Sequence, residues 1–358
     1  MKQLILFEMR KVFSKRLSLI ALASLLLFSV LISFSTYRDK YAFDGVSEEG
    51  FGKKAVEIDK NIAEKYEGIL TDENVQQMLK NFAPTNDLHG LNAVYLYQNA
   101  TQSAAFSRFA DKDGKWNGLS VSDVFGDEKI KIGYVDGWLS TSRNLVRVFV
   151  ALALVVIIML VPIFSGEYYG VDNIILTSRY GKTKCAAAKV AAGILTAILT
   201  TALLAAFNLL LACAFYGRSG LDCSILFASS DYREGGIPFN ITCGTLLGYQ
   251  ILLAFTCMLS VTGITLFLSA VSKNQIVAFA SALAIFLFPV LLPISEVNLL
   301  FRLVGLLPIY HVQAVSLLSV EQMSNGLLYA IWAVPVAFIF TGLGAFLSRR
   351  IFAKHQVA

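Results

Sequence analysis

Six stretches of the chain, residues 17–36, 145–165, 189–216, 244–271, 276–295 and 326–348, are long apolar runs nearly free of charge. A helix needs ~20 apolar residues to cross the hydrocarbon core of a bilayer. Inside lipid, a backbone must satisfy its own hydrogen bonds, so each run predicts a transmembrane helix. The expected fold class is an all-α polytopic membrane protein with six spans. Charged residues make up only 15% of the chain, against ~25% for soluble domains, which fits that class. The first run follows a basic start, as in a signal peptide. It is longer than a typical signal core, and no small-residue cleavage site follows, so it reads as an uncleaved span.

Charge sorts the connections. Six spans put both termini on one side. The segments on that side (1–16, 166–188 with Lys189, 272–275 and 349–358) hold 13 of the 30 Lys/Arg but only three of the 25 acids: Glu8, Glu167 and Asp172. Short cytoplasmic loops carry an excess of Lys and Arg, so this side is expected to be cytoplasmic and the protein to lie in the cell membrane. The remaining connections, 37–144, 217–243 and 296–325, are then outside. The last of these is broken by Gly305 and Pro308 and suits re-entrant or interfacial helices.

Residues 37–144 carry 13 Lys/Arg and 17 Asp/Glu, enough chain for a small folded domain. Helices are expected over 53–70 and 71–82, broken at Gly68 and Pro84, with Thr71 as a cap, and again over 88–109. A turn is expected at 111–118, DKDGKWNG. The region has no carboxylate pair, Ser/His set or Cys pair that suggests chemistry. A mainly helical extracytoplasmic domain is the simpler reading.

Two cytoplasmic segments carry the functional argument. Residues 1–16 form a basic amphipathic stretch with an Ile5, Met9, Phe13 stripe, suited to the inner membrane surface; Phe7, Arg10, Lys11 and Phe13 are its expected surface-binding residues. The loop EYYGVDNIILTSRYGKTKCAAAK, residues 167–189, is polar, basic and punctuated by glycine. Asp172 suits an N-cap and Gly181 a helix stop, which predicts a short helix over 173–180. A short helix there has no core of its own, so it is expected to pack on another protein.

This loop resembles the loop between the second and third spans of ABC-2 type transporter permeases. The matching residues are Phe164, Glu167, Gly170, Leu176, Ser178, Arg179, Gly181 and Lys189. FEMRKVFSKRL, residues 7–17, is similar to the elbow helix before the first span of that family. Trp138 before span two and the apolar loop before span six also agree. The resemblance implies an exporter subunit without enzymatic activity of its own. Residues 167–189 would be the coupling helix, with Glu167, Gly170, Asp172, Arg179, Gly181 and Lys189 as ATPase-coupling residues. The implied partners are an ATP-binding cassette subunit, which would carry ATP and Mg, and a second permease copy or sister chain in a homodimer or heterodimer. Implied substrates are amphipathic or hydrophobic: peptides, antibiotics or lipid-like molecules. No cofactor bound by this chain and no nucleic-acid partner are expected.

The residues set limits of their own. Gly181-Lys182-Thr183 ends like a phosphate-binding loop, but the glycine such a loop needs five residues earlier is Leu176. The six apolar cores contain essentially no acid, base or histidine, which argues against an ion-coupled carrier. Their polar groups are mild. Thr200, Asn208, Thr256 and Ser260 are the candidates for a substrate path, although such groups most often bond to backbone or a neighbouring helix. Gly244-x-x-x-Gly248 has the form of a packing motif. Cys223 and Cys243 share an outside loop, either as a disulfide or as two unpaired small apolar residues. The five cysteines and three histidines show no metal-site spacing. The rival reading is a membrane-anchored peptide sensor or immunity protein that uses the outside domain.

Overall fold

The computed structural model describes residues 1–44, 47–81, 100–168, 181–228, 239–292, 303–313 and 329–354. The protein is mostly helical, and among the described residues five helices are long and apolar enough to cross a membrane: Arg16–Arg38, Asp136–Ile163, Gly181–Tyr216, Cys243–Val271 and Ile331–Lys354. The chain divides into two compact units. One comprises Met1–Ser29, Leu145–Phe207 and Tyr249–Ala358; the other comprises Val30–Asn144 and Asn208–Gly248.

The first unit begins with α1, Lys2–Phe13, which ends at Ser14 before α2, Arg16–Arg38. The second expected span is α7, Asp136–Leu160, followed by a 3-10 turn, Val161–Ile163. Pro162 lacks an amide proton and cannot continue the α-helical ladder, so the kink expected at the inner end takes this form. Ser269 completes that end. Its hydroxyl donates to the Val161 carbonyl at 2.5 Å and accepts from the Phe164 and Ser165 amides at 3.0 and 3.1 Å. Tyr168 adds a bond to the Ala270 carbonyl, and Phe164 packs on Phe352, ring centres 5.2 Å apart.

The third span opens with a π-helical turn, Gly181–Cys185, and continues as α8, Ala186–Tyr216. The fourth is α10, Cys243–Val271. The fifth expected span is shorter than its apolar run. It is α11, Gln275–Leu287, with a 3-10 turn, Phe288–Leu291, at Pro289. Thirteen α-helical residues rise only ~20 Å, less than the ~30 Å core. The last span, α13, Tyr329–Lys354, tolerates Pro335 and extends past the expected boundary through Arg349 and Arg350. It meets α10 where Gly263 and Gly344 face one another. A Cβ on Gly263 would run into the Phe340 carbonyl, and one on Gly344 into Gly263 itself. This crossing, rather than Gly244-x-x-x-Gly248, is the close backbone approach; a Cβ at Gly248 would meet nothing within 4 Å.

The second unit contains strands that the sequence did not announce. β1, Tyr41–Phe43, pairs antiparallel with β2, Glu49–Phe51. α3, Lys53–Lys65, stops short of the expected 53–70. Gly68, at φ +134, starts β3, Gly68–Ile69, which pairs with β4, Lys131–Ile132. Short strands with partners about 60 residues away leave no local periodicity to read. α4, Asp72–Asn81, starts where expected, with Thr71 Oγ1 accepting from the Asn74 amide at 3.2 Å. α5, Ala100–Phe109, covers the described end of the third expected helix. α6, Val121–Phe125, has a capping box between Ser120 and Asp123. Their shared core, on which α9, Ile225–Ala228, also packs, includes Ile62, Met78, Phe106, Phe109, Ile130 and Leu226. Lys40 lies between Asp136 and Asp59, the latter at 2.5 Å, and is almost buried. Burial disfavours its charge, but the two carboxylates outweigh that and hold its pKa above the ordinary lysine value.

Candidate functional site

The first unit brings together four charged side chains from three separate chain segments. α1 contributes Glu8 and Lys11, one helical turn apart. The chain leaving α7 contributes Glu167, whose amide is held by the Phe164 carbonyl at 3.0 Å. The first turn of α8 contributes Lys189. Lys189 Nζ lies 2.6 Å from Glu167 Oε1 and 3.0 Å from Glu8 Oε2. Lys11 bonds the same Glu167 oxygen and stands 3.9 Å from Glu8. Lys189 is fully buried, Glu167 is 3% exposed and Glu8 5%. Only Lys11, at 37% side-chain exposure, reaches solvent.

Two carboxylates and two ammonium groups make the cluster neutral, which is what permits its burial. Burial lowers the Lys11 pKa, but the hydrogen bond and charge of Glu167, then the charge of Glu8, reverse this and leave it raised. Lys15, next along, feels the opposite balance. Burial and the charge of Lys11 push its pKa down despite Glu167 and Glu8. Glu167 Oε2 is buried without a hydrogen-bond partner among the described residues. The arrangement is a lattice of charge-assisted bonds, held by α1, by α8 and by the turn that carries Glu167.

Of the six expected coupling residues, Glu167 and Lys189 therefore meet each other and the N-terminal helix. Gly181 is buried as the first residue of the π-helical turn. Gly170, Asp172 and Arg179, with the short helix expected over 173–180, lie outside the described residues. Of the surface-binding residues, Phe7 is 62% exposed, Arg10 is exposed, and Lys11 and Phe13 are half-buried. α1 buries Glu8 and Val12, with Ile5 and Met9 beside them. Glu8 was the residue missed. The signal for it was present: the only acid in a basic segment, at i+3 and i+4 spacing from Ile5 and Val12.

The substrate-path candidates are occupied locally. Thr200 donates to the Thr196 and Ala197 carbonyls at 2.9 and 3.1 Å, and Ser260 to the Thr256 carbonyl at 2.8 Å. Asn208 is buried at 3% exposure. Thr256, midway along α10, lies 2.7 Å from the Leu253 carbonyl and 3.2 Å from His311 Nδ1. His311 belongs to the short helix α12, Pro308–His311, and is fully buried. The apolar segment before the last span thus delivers an ionisable ring to mid-span depth, which the apolar runs alone did not show. Cys223 and Cys243 are both buried free thiols. Among the described residues, no group of three or more His, Cys, Asp or Glu is placed to hold a metal ion.

Comparison with protein-family models, with curated proteins and with solved structures finds no match to this chain.

Proposed function

We propose that the chain is the membrane-spanning subunit of an ATP-binding cassette exporter of the ABC-2 type. One observation carries the reading: the buried lattice that joins α1 to both ends of the 167–189 loop through Glu8, Lys11, Glu167 and Lys189. A loop that receives force from a partner must pass it to the spans. Flexible contacts dissipate such a displacement, whereas charge-assisted bonds between rigid helices have few alternative arrangements. The lattice sits at the base of the loop and grips the end of the second span, the start of the third and the helix before the first. ATP and Mg belong to the partner subunit, and the permease works as a homodimer or heterodimer. The substrate is amphipathic or hydrophobic, and α1 lies at the cytoplasmic membrane surface with both termini inside.

The test is affinity purification of the full chain from native membranes, with mass spectrometry of what accompanies it. An ATP-binding cassette subunit should co-purify, and Arg179→Ala in the loop should weaken that association or uncouple ATP hydrolysis from export. Recovery of the chain without any such ATPase, or native export per ATP in the Arg179 variant, would refute the reading.

A further inference from the structure

We propose that Cys223 and Cys243 are a redox-active pair that closes to a reversible disulfide. The sequence places both in one loop; the structure places them opposite one another. Ser224 and Thr242 form an antiparallel bridge. On one side of it the Ile225 amide donates to the Ile241 carbonyl at 3.0 Å, and on the other the Cys243 amide donates to the Cys223 carbonyl at 3.0 Å. The register of that ladder makes Cys223 and Cys243 direct cross-strand partners. Partners of this hydrogen-bonded kind have Cα atoms ~5.5 Å apart and side chains on the same face. A disulfide accepts Cα separations of ~4.4–6.8 Å.

The surroundings favour pairing over reaction with other groups. Both thiols are buried, Cys223 at 0% and Cys243 at 1% exposure, so an oxidant reaches them through local opening of the loop. A Cβ at Gly133 would stand 2.7 Å from Cys223 Sγ; glycine there leaves the sulfur its room. The Ser224 amide also bonds the Lys131 carbonyl at 2.8 Å, so the cysteine strand lies along β4. Cys243 is the first residue of α10. Closure would therefore fasten the first residue of α10 to the strand beside β4.

The oxidant is a disulfide, either an exported dithiol oxidoreductase or an oxidised small thiol. One cysteine thiolate attacks the oxidant and expels its first thiolate. The other cysteine thiolate attacks the mixed disulfide and expels the second. One Cys–Cys bond forms, one oxidant disulfide becomes two thiols, and the two cysteine protons end on them. Burial pushes the Cys223 thiol up to about 11, which keeps the thiolate scarce and the exchange slow at neutral pH. Access to an extracytoplasmic oxidant rests on the topology proposed above, and the test separates the two claims.

The full chain in sealed, right-side-out membranes is treated with membrane-impermeant oxidised glutathione or, separately, with the permeant oxidant diamide. The protein is then unfolded in denaturant, its free thiols are alkylated, and it is mapped without reduction by mass spectrometry. The expected product is one peptide linking Cys223 to Cys243, lighter by two hydrogen atoms and released by dithiothreitol, with Cys185, Cys213 and Cys257 alkylated. In Cys223→Ser no linked peptide forms and Cys243 stays alkylatable. If the link forms with diamide alone, the pairing holds and the outside placement of the loop fails. If both thiols remain alkylatable after both oxidants, or form only mixed disulfides with glutathione, the pairing is refuted.

Discussion

Removing Lys189 is the most informative single perturbation of the charge lattice. Lys189 is fully buried and bonds both acids, at 2.6 Å to Glu167 and 3.0 Å to Glu8. In Lys189→Met the volume is nearly kept, but two buried carboxylates must share Lys11. That residue is 3.9 Å from Glu8 and partly in solvent. Breaking a buried ion pair by deleting one partner costs ~3–5 kcal/mol, because the other charge is stranded. At 1.4 kcal/mol per decade this is a hundredfold or greater loss in the folding equilibrium. Lys11→Met should cost less, ~1 kcal/mol, since solvent partly screens its half-buried ammonium. Adding Glu8→Gln to Lys189→Met removes one charge of each sign and leaves Lys11 with Glu167. The double variant should recover ~1–3 kcal/mol relative to the sum of the two single changes. Equilibrium unfolding in mixed micelles, at low and high salt, reads the wild type, the three single variants and the double variant. The Lys11 effect should shrink with salt and the Lys189 effect should not, because buried pairs are weakly screened. A Lys189→Met loss below ~1 kcal/mol, or strict additivity of Lys189→Met and Glu8→Gln, would show that the four charges do not act as a unit.

Two further predictions use the same assay. The folded-state pKa of Lys11 lies above its ordinary 10.5, so the stability it contributes is complete below 10.5 and is lost as pH rises through the higher folded value. Unfolding measured from neutral to strongly alkaline pH should show that loss, and Lys11→Met should flatten it; identical alkaline slopes would refute the assignment. Gly263→Ala should destabilise by ~1–3 kcal/mol through collision with the Phe340 carbonyl, whereas Gly248→Ala, with nothing within 4 Å, should change stability by less than ~0.5 kcal/mol. Equal effects of the two would contradict the crossing of α10 and α13.

Five of the six expected spans were legible as long apolar helices, because apolar length is a property of contiguous sequence. Their ends were less so. Pro289 shortens α11 and Gly181 lengthens the third span by a π-helical turn; both depend on how backbone donors are satisfied at a helix end. The strand pairs Gly68 with Ile132 and Ile69 with Lys131 were invisible for another reason. Two residues have no period, and the partner is set by tertiary folding. Glu167 and Lys189 were singled out as functional, but as partners for something outside the chain. Reading them one segment at a time hid that an acid on α1 and a base on α8 neutralise each other. Charge counted by loop gives the sign of a membrane face; it does not say which charges leave solvent.

His311 tests the inference that no ionisable group serves the spans. Its ring is fully buried beside Thr256, midway along α10, where such a group would by default suggest ion or proton traffic. The bonding argues otherwise. Nε2 lies 3.0 Å from the Leu306 carbonyl, and a carbonyl oxygen only accepts, so Nε2 carries a proton. Nδ1 is then the acceptor in the neutral ring, facing the Thr256 hydroxyl. That hydroxyl has one proton and a second acceptor in the Leu253 carbonyl at 2.7 Å, so it is shared between them. Both ring nitrogens are engaged without a net charge in the span. A coupling site must exchange its proton with water along a path, and this ring is fully buried with both nitrogens bonded. It therefore pins the Pro308–His311 turn to α10, as a buried polar group with satisfied partners does.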